Sequence, residues 1–447
     1  MKLLVISQFF APDQRIGAVR WTKLCKYLSV EGFDIDILCD RQSGKIDPLL
    51  LRDLPHCGHI LRIGSTDETG DAAAFSVQEQ HAAVTQPAKP LPTGIKRAII
   101  NSLPFRKYEE LSYAKKYLRG ARQFADAAIA RLTASRDVGE YDCIIATFGP
   151  LGNVMTALEL KRRFPNIPLI ADFRDPMVTI VTKKALKPQL TKHQKAFRDA
   201  ADRILAVSQG YADAICSCEE HIKKCIVLRN GFDPQDTVQS AAAQPDDRFT
   251  FCCTGSLYKG RRDMSPLFDA LRRLAGQGNI VRGRVVVKYA GNDIAALYEQ
   301  ADAYGVRDMV EALGVIGRED AIALQKNSQA LLLPNWNLST EKGVLPGKFY
   351  EYAQAGVPVI LLTSGDDAGS ELRSLMDEAR LGVSYEEATA DTDMPLLCEY
   401  IKRQYDRFVA GEPLEYAPDS DMLAQFEYGN IAKRAADIIR EAVGNRN

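Results

Sequence analysis

Lys348 and Glu351 are the residues whose type and spacing best suit phosphate and hydroxyl chemistry. They stand three apart in Leu345-Pro346-Gly347-Lys348-Phe349-Tyr350-Glu351-Tyr352-Ala353-Gln354-Ala355-Gly356, which runs into Val357-Pro358-Val359-Ile360. The pattern predicts a loop, a helix with both side chains in its first turn, a stop at Gly356 and a buried strand. A helix N-terminus presents free N–H groups and partial positive charge, so a lysine beside it suits a phosphate. A carboxylate one turn on accepts from two vicinal hydroxyls, such as those of a ribose. An ordinary solvated helix pair has the same spacing, because side chains three apart are neighbours on any helix surface.

Other groupings exclude chemistry. Asp34-Ile35-Asp36 has the form of a metal-binding Asp-x-Asp, but it falls inside an expected strand with both carboxylates on one face. No metal is expected there. No Gly-x-x-x-x-Gly-Lys-Ser/Thr loop occurs, which excludes P-loop nucleotide hydrolases. No Gly-x-Gly-x-x-Gly follows the first strand, which argues against a dinucleotide cofactor. The ten cysteines are scattered, and the five histidines complete no zinc spacing. They read as buried thiols in a reducing cytosol. Cys216 and Cys218, with Cys225 nearby, are the one set with another candidate role.

The elements that position these residues follow from length and rhythm. At 447 residues the chain predicts two domains of roughly 200 residues each. Its 46% hydrophobic and 26% charged residues are those of an ordinary globular protein. A net charge of -1 lacks the basic field of nucleic-acid binders, so no nucleic-acid partner is expected. Leu3-Leu4-Val5-Ile6 is broken by Ser7-Gln8 and closed by Pro12, with no small-residue cleavage site, so it reads as a first strand rather than a signal peptide. No run reaches the roughly 20 apolar residues of a membrane-spanning helix. The expected location is the cytoplasm.

Strand Leu3–Ser7, a loop to Ile16, a helix from Gly17 and strand Phe33–Leu38 form a first βαβ unit. Thr66–Thr93 has no clean period and reads as a mobile loop. A basic helical region follows over Ile95–Leu132, with Lys96, Arg97, Arg106, Lys107, Lys115, Lys116, Arg119 and Arg122. Further strands are expected at Tyr141–Ala146, Pro168–Ala171, Arg203–Val207 and Cys225–Arg229, with a turn at Ser208-Gln209-Gly210 before a helix from Tyr211. Asn230–Asp247 reads as a linker. The rhythm restarts with strands at Phe249–Cys253, Val285–Ala290, Val310–Leu313, Ala330–Leu333, Val357–Leu362 and Leu381–Val383. The architecture is α/β: two doubly wound domains, 1–234 and 235–420, facing across a cleft. Residues 421–447 hold an amphipathic helix expected to cross back to the first domain.

The stretch around Lys348 resembles the donor-site helix of family-4 glycosyltransferases, where a Lys-x-x-Glu-Tyr pattern runs into Ala-Gly-x-Pro-Val-Ile. Further matches fall in order along most of the chain. Phe9-Phe10-Ala11-Pro12 with Gly17-Ala18-Val19-Arg20 is similar to the family's first-strand loop. Ala171-Asp172-Phe173-Arg174-Asp175-Pro176 and Asn230-Gly231-Phe232-Asp233 are similar to its mid-chain signatures. Thr254-Gly255-Ser256-Leu257-Tyr258-Lys259-Gly260-Arg261-Arg262 is similar to the first loop of its donor domain.

The resemblance implies a GT-B fold of two Rossmann-like domains, with the acceptor on the first and a nucleotide-sugar on the second. It implies retaining transfer to a glycan or lipid-linked acceptor in cell-surface polysaccharide synthesis, with no metal and no cofactor. Gly17, Gly255, Lys259, Arg261, Arg262, Lys348, Glu351 and Glu341 are then donor-binding candidates, and Asp175, Glu351 and Lys348 catalytic ones. A departing nucleoside diphosphate gathers negative charge that Lys348 and a cation of the 259–262 loop would neutralise. Asp175 either polarises the acceptor hydroxyl or belongs to a structural knot in which Arg174 pairs with a carboxylate. The sequence departs from the family at Gly343, eight positions before Glu351, where a glutamate contacting the donor sugar is common; Glu341 is its candidate substitute. Two rival readings remain: a GT-B sugar epimerase or phosphorylase, and a non-catalytic partner that binds a nucleotide-sugar or stabilises another transferase. The basic region, with Ile99, Ile100, Leu103 and Phe105, suits peripheral contact with the inner face of an anionic membrane, or a solvated helix face.

Overall fold

The structure, a computed structural model, describes residues 1–41, 45–63, 103–236 and 247–444, with 103–106 as backbone alone. The loop expected at Thr66–Thr93, together with Lys96, Arg97, Ile99 and Ile100, lies outside the described residues.

The chain forms two compact units. The first comprises Met1–Val207, Tyr211–Arg229 and Ile431–Asn447, and the second Ser208–Gly210 and Asn230–Asn430. In the first unit the strands are β1 (Lys2–Ile6), β2 (Asp34–Asp40), β3 (His59–Ile63), β4 (Cys143–Phe148), β5 (Leu169–Phe173), β6 (Arg203–Ala206) and β7 (Cys225–Val227). They pair in the order β3-β2-β1-β4-β5-β6-β7, all parallel. Leu3, Leu4, Val5 and Ile6 are each fully buried, as a central parallel strand covered on both faces requires. β3 is a strand that no clean alternation announces. The helix expected from Tyr211 starts earlier, at Gln209, so the expected turn at Ser208-Gln209-Gly210 is the helix entry instead. From Ile431 the helix Tyr428–Gly444 belongs to the first unit, where Arg440 lies over the Phe33 ring at 5.3 Å.

The second unit holds β8 (Phe249–Thr254), β9 (Val285–Ala290), β10 (Val310–Ala312), β11 (Ala330–Trp336), β12 (Val359–Ser364) and β13 (Gly382–Glu386). Their parallel order is β10-β9-β8-β11-β12-β13. Alternation sorts β8 between two cores. Phe249, Phe251 and Cys253 pack with Leu267, Phe268 and Tyr289 on one face. Cys252 packs with Phe349, Tyr350 and Tyr352 on the other. Burying each phenylalanine contributes about 1.5–3 kcal/mol, and that is what fixes the register of β8. Successive strands leave the centre of the sheet in opposite directions at β8 and β11, so the loops after these two strands flank its topological switch point.

Candidate functional site

The loop after β8 is shaped by glycines and held by an aspartate. Gly255 has φ of +115°, its N–H donates to Ala290 O at 2.8 Å, and its carbonyl accepts from the Tyr289 hydroxyl at 2.8 Å. Asp293 accepts from Ser256 Oγ at 2.7 Å and from the Leu257 N–H at 2.8 Å. Tyr258, Lys259 and Gly260 then follow at φ of +50°, +58° and +88°. Two non-glycine residues in the left-handed region cost about 1–3 kcal/mol each, and such strain gathers where backbone is held for a ligand. The loop leaves Lys259 and Arg261 exposed. Arg262 turns inward, over the rings of Tyr258 (4.7 Å) and Trp336 (5.5 Å), and donates to Ser256 O at 3.3 Å.

The helix Gly347–Ala355 opens after Pro346 in extended geometry and stops at Gly356, whose φ of +74° no β-carbon favours. Phe349, Tyr350, Tyr352 and Ala353 pin it to the sheet. Lys348 and Glu351 fall on the opposite side, half-buried, with Nζ to Oε1 at 2.8 Å. Gln325, itself buried, donates from Nε2 to the same Glu351 oxygen at 2.6 Å and to Thr254 Oγ1 at 2.9 Å. Tyr352 completes the link by accepting from the Thr254 N–H at 3.1 Å. Glu351 is thereby tied to the end of β8. Burial pushes its pKa up, but the Lys348 charge and hydrogen bond, the Gln325 amide and the Arg318 charge outweigh it and hold the carboxyl below its ordinary value. Glu351 is therefore ionised, and an ionised carboxylate accepts at both oxygens.

Lys348 also reaches the loop. A β-carbon at Gly255 would lie 3.8 Å from Lys348 Cε. A glycine in the left-handed region, a lysine and the first turn of a helix thus converge at the switch point, a combination suited to an anionic group. Asn335 Oδ1 and Thr363 Oγ1, opposite one another in the β11–β12 register, are buried with no hydrogen-bond partner among the described residues. They are polar groups at strand ends beside this site.

Glu341 accepts from the Trp336 indole N–H at 3.1 Å, which joins it to Tyr258, Trp336 and Arg262 rather than to Lys348. Gly343 has φ of +78°, a conformation in which a glutamate is strained. The departure from the family pattern at this position is thus built into the backbone.

The remaining candidates lie in the first unit. Gly17 approaches so closely that a β-carbon there would come within 2.8 Å of Phe9 Cδ2, and its carbonyl accepts from Arg174 at 3.1 Å. Arg174 also donates to the carbonyls of Phe148 and Gly149. Nearby, Asp172 pairs with Arg20 at 2.9 Å and accepts from the Trp21 indole at 2.8 Å. Asp175 is exposed just beyond β5. Asp34 and Asp36 diverge in role. Asp34 is exposed at the start of β2, whereas buried Asp36 accepts from Tyr141 at 2.5 Å and Arg136 at 2.9 Å. Along the helix Leu103–Ser135, Lys107, Lys115, Lys116, Arg119 and Arg122 are exposed, as are Tyr108 and Leu111. No helix of the described residues is long and apolar enough to cross a membrane.

No protein-family model and no curated protein matches this sequence. Solved structures do match in fold. Sucrose-phosphate synthase from Thermosynechococcus elongatus superposes with a TM-score of 0.60 at 14% identity, over 100% of both chains. HepE from Anabaena, solved in complex with UDP-glucose, gives 0.53 at 13% identity, covering 99% of this chain and 100% of its own. The fold is GT-B. A Listeria monocytogenes protein described as a UDP-N-acetylglucosamine 2-epimerase gives 0.53 at 12% identity, covering 100% of this chain and 97% of its own. Within the GT-B frame, the sequence carries no sign of Gln325 or Asp293, because a polar residue buried in a helix or beside one leaves no periodic trace. Asn335 does leave a trace, as a polar residue that closes the apolar run Leu331-Leu332-Leu333-Pro334.

Proposed function

We propose that this chain is a glycosyltransferase that moves a sugar from a nucleoside-diphosphate sugar onto a glycan or lipid-linked acceptor, retaining the anomeric configuration. The observation that carries this reading is the convergence of Lys348, Glu351 and the Gly255 loop at the switch point of the second sheet. Lys348 meets the diphosphate and stabilises the charge of the leaving nucleotide, while Glu351 accepts from the ribose hydroxyls. Lys259 and Arg261 extend the positive charge along the loop. The second unit is the donor domain. The first unit holds the acceptor, with Asp175 beside the acceptor hydroxyl and Gly17 on the first-strand loop. Cationic side chains serve in place of a metal. HepE binds UDP-glucose, which makes UDP-sugars the first donors to examine. The enzyme works in the cytoplasm, in cell-surface polysaccharide synthesis. The exposed lysines and arginines of the helix Leu103–Ser135, with Tyr108 and Leu111 among them, rest on the anionic inner face of the membrane where lipid-linked acceptors are presented.

The test is a thermal-shift and calorimetric screen against UDP-, GDP- and dTDP-sugars, since a true ligand raises the melting temperature. A hit followed by NMR of the anomeric proton in the product supports retaining transfer; inversion, or no shift with any nucleotide-sugar, opposes it. A second reading, epimerisation of the nucleotide-sugar, draws on the Listeria structure of equal fold similarity. Formation of a C2 epimer from UDP-N-acetylglucosamine without acceptor would favour it.

A further inference from the structure

Cys218 is the one exposed cysteine of the ten. Six others are fully enclosed, and Cys216, Cys225 and Cys398 are half-buried. Burial pushes the Cys216 thiol up and the Cys225 thiol up to about 12. Less thiolate is available at either than at a free cysteine. Cys218 differs in its surroundings as well as its exposure. Its Sγ lies 3.1 Å from Nδ1 of His221, a residue in the next turn of chain and itself buried. The other ring nitrogen, Nε2, lies 3.1 Å from Asp199 Oδ1. Asp199 comes from the helix Lys187–Ala200 and is steadied by Arg198 Nε at 3.0 Å. Ser217 Oγ also approaches Nδ1, at 3.2 Å, and the Cys216 thiol donates to the His221 carbonyl at 3.5 Å.

We propose that Cys218, His221 and Asp199 form a thiol-modification site, with Cys218 as nucleophile, His221 as its base and Asp199 as the positioning residue. The logic is that of any nucleophile–base–orienter trio. The carboxylate accepts from Nε2–H and so selects the tautomer in which Nδ1 is the acceptor, facing the thiol. A small hydroperoxide is the class of reactant suited to an exposed thiol with a base beside it. Sulfur attacks one peroxide oxygen as its proton passes to Nδ1. The S–O bond forms, the O–O bond breaks, and the hydroxide that leaves takes the proton from His221 as water. Cys218 is oxidised to a sulfenic acid and the peroxide is reduced. Cys216 and Cys225 stay reduced in this step. The trio lies wholly in the first unit and uses none of the residues assigned to sugar transfer.

The experiment measures labelling of Cys218 in the full-length protein by peptide mass spectrometry, with iodoacetamide for the thiol and dimedone after hydrogen peroxide for the sulfenic acid. Cys218 is expected to react about tenfold or more faster than free cysteine at the same pH, and His221→Gln to abolish that advantage. Because His221 is buried, Asp199→Asn serves as the second variant, on a side chain that is 43% exposed. It is expected to slow labelling and to change the His221 tautomer seen in the ¹⁵N spectrum, a signature that a merely structural role would leave unmoved. A Cys218 rate equal to that of free cysteine overturns the proposal. So does an enhanced rate that Asp199→Asn and a folded His221→Gln both leave unchanged.

Discussion

Arg20 and Asp172 in the first unit and Lys348 and Glu351 in the second are both oppositely charged pairs, built to different ends. The first pair is 2% and 0% exposed, and the second 29% and 25%. Arg20 spends its donors on Asp172 and on the carbonyls of Leu228 and Arg229, while the Trp21 indole takes the second Asp172 oxygen. Every direction is filled by protein, so the pair fastens the helix Val19–Val30 to β5 and to the chain beyond β7. Lys348 has three N–H donors and meets Glu351 with one of them. A half-exposed pair of this kind exchanges partners for a ligand without unfolding anything. Burial and saturation mark the first cluster as structure, and partial exposure at a switch point suits the second to a ligand.

Substitutions that sharpen the contrast follow in order of size. Asp172→Ala leaves the Arg20 charge buried, and should lower unfolding free energy by about 3–5 kcal/mol in urea titration. A loss under about 1 kcal/mol would place the two pairs in one class. Glu351→Gln removes a charge-assisted acceptor, about 1.5–3 kcal/mol, so donor affinity should fall roughly ten- to a hundredfold with circular dichroism unchanged. An unchanged donor constant would put the active site on another helix. Lys348→Ala should cost about 1 kcal/mol of stability, since the pair is half-buried and Gln325 still donates to Glu351. That small cost depends on pH with a definite sign. The Glu351 pKa is held below its unfolded value, so its contribution is present above the ordinary carboxylate range and lost as pH falls through the folded value. The wild-type advantage over Lys348→Ala should accordingly vanish in acid, and an advantage that grows instead would contradict the ion pair. If cationic side chains serve in place of a metal, as proposed, chelation should have no effect on turnover; loss in EDTA restored by Mn²⁺ would overturn that proposal and revive Asp34 and Asp36.

Most of the frame was legible because buried parallel strands are continuous apolar runs. Lys2–Ile6, Phe249–Thr254 and Val285–Ala290 fall within a residue or two of their expected bounds. β3, His-Ile-Leu-Arg-Ile, was not, because its edge position mixes exposed and buried residues over five positions. The helix stop at Gly356 and the Lys348–Glu351 pairing follow from spacing alone. Orientation within a loop does not. That Arg262 stacks on Trp336 while Lys259 and Arg261 face solvent depends on the left-handed turn at Tyr258 and Lys259, which no residue type in that loop dictates. Gln325 was illegible for the related reason that its partners, Thr254 and Glu351, are far from it in sequence.

Whether Lys348 meets a phosphate rather than merely pairing with Glu351 is decided by calorimetric titration of UDP and uridine into wild type and Lys348→Ala. The variant is expected to lose roughly ten- to a hundredfold in affinity for UDP and almost nothing for uridine. Equal losses for the two ligands, or none for either, would mean that the lysine only supports the helix on which it stands.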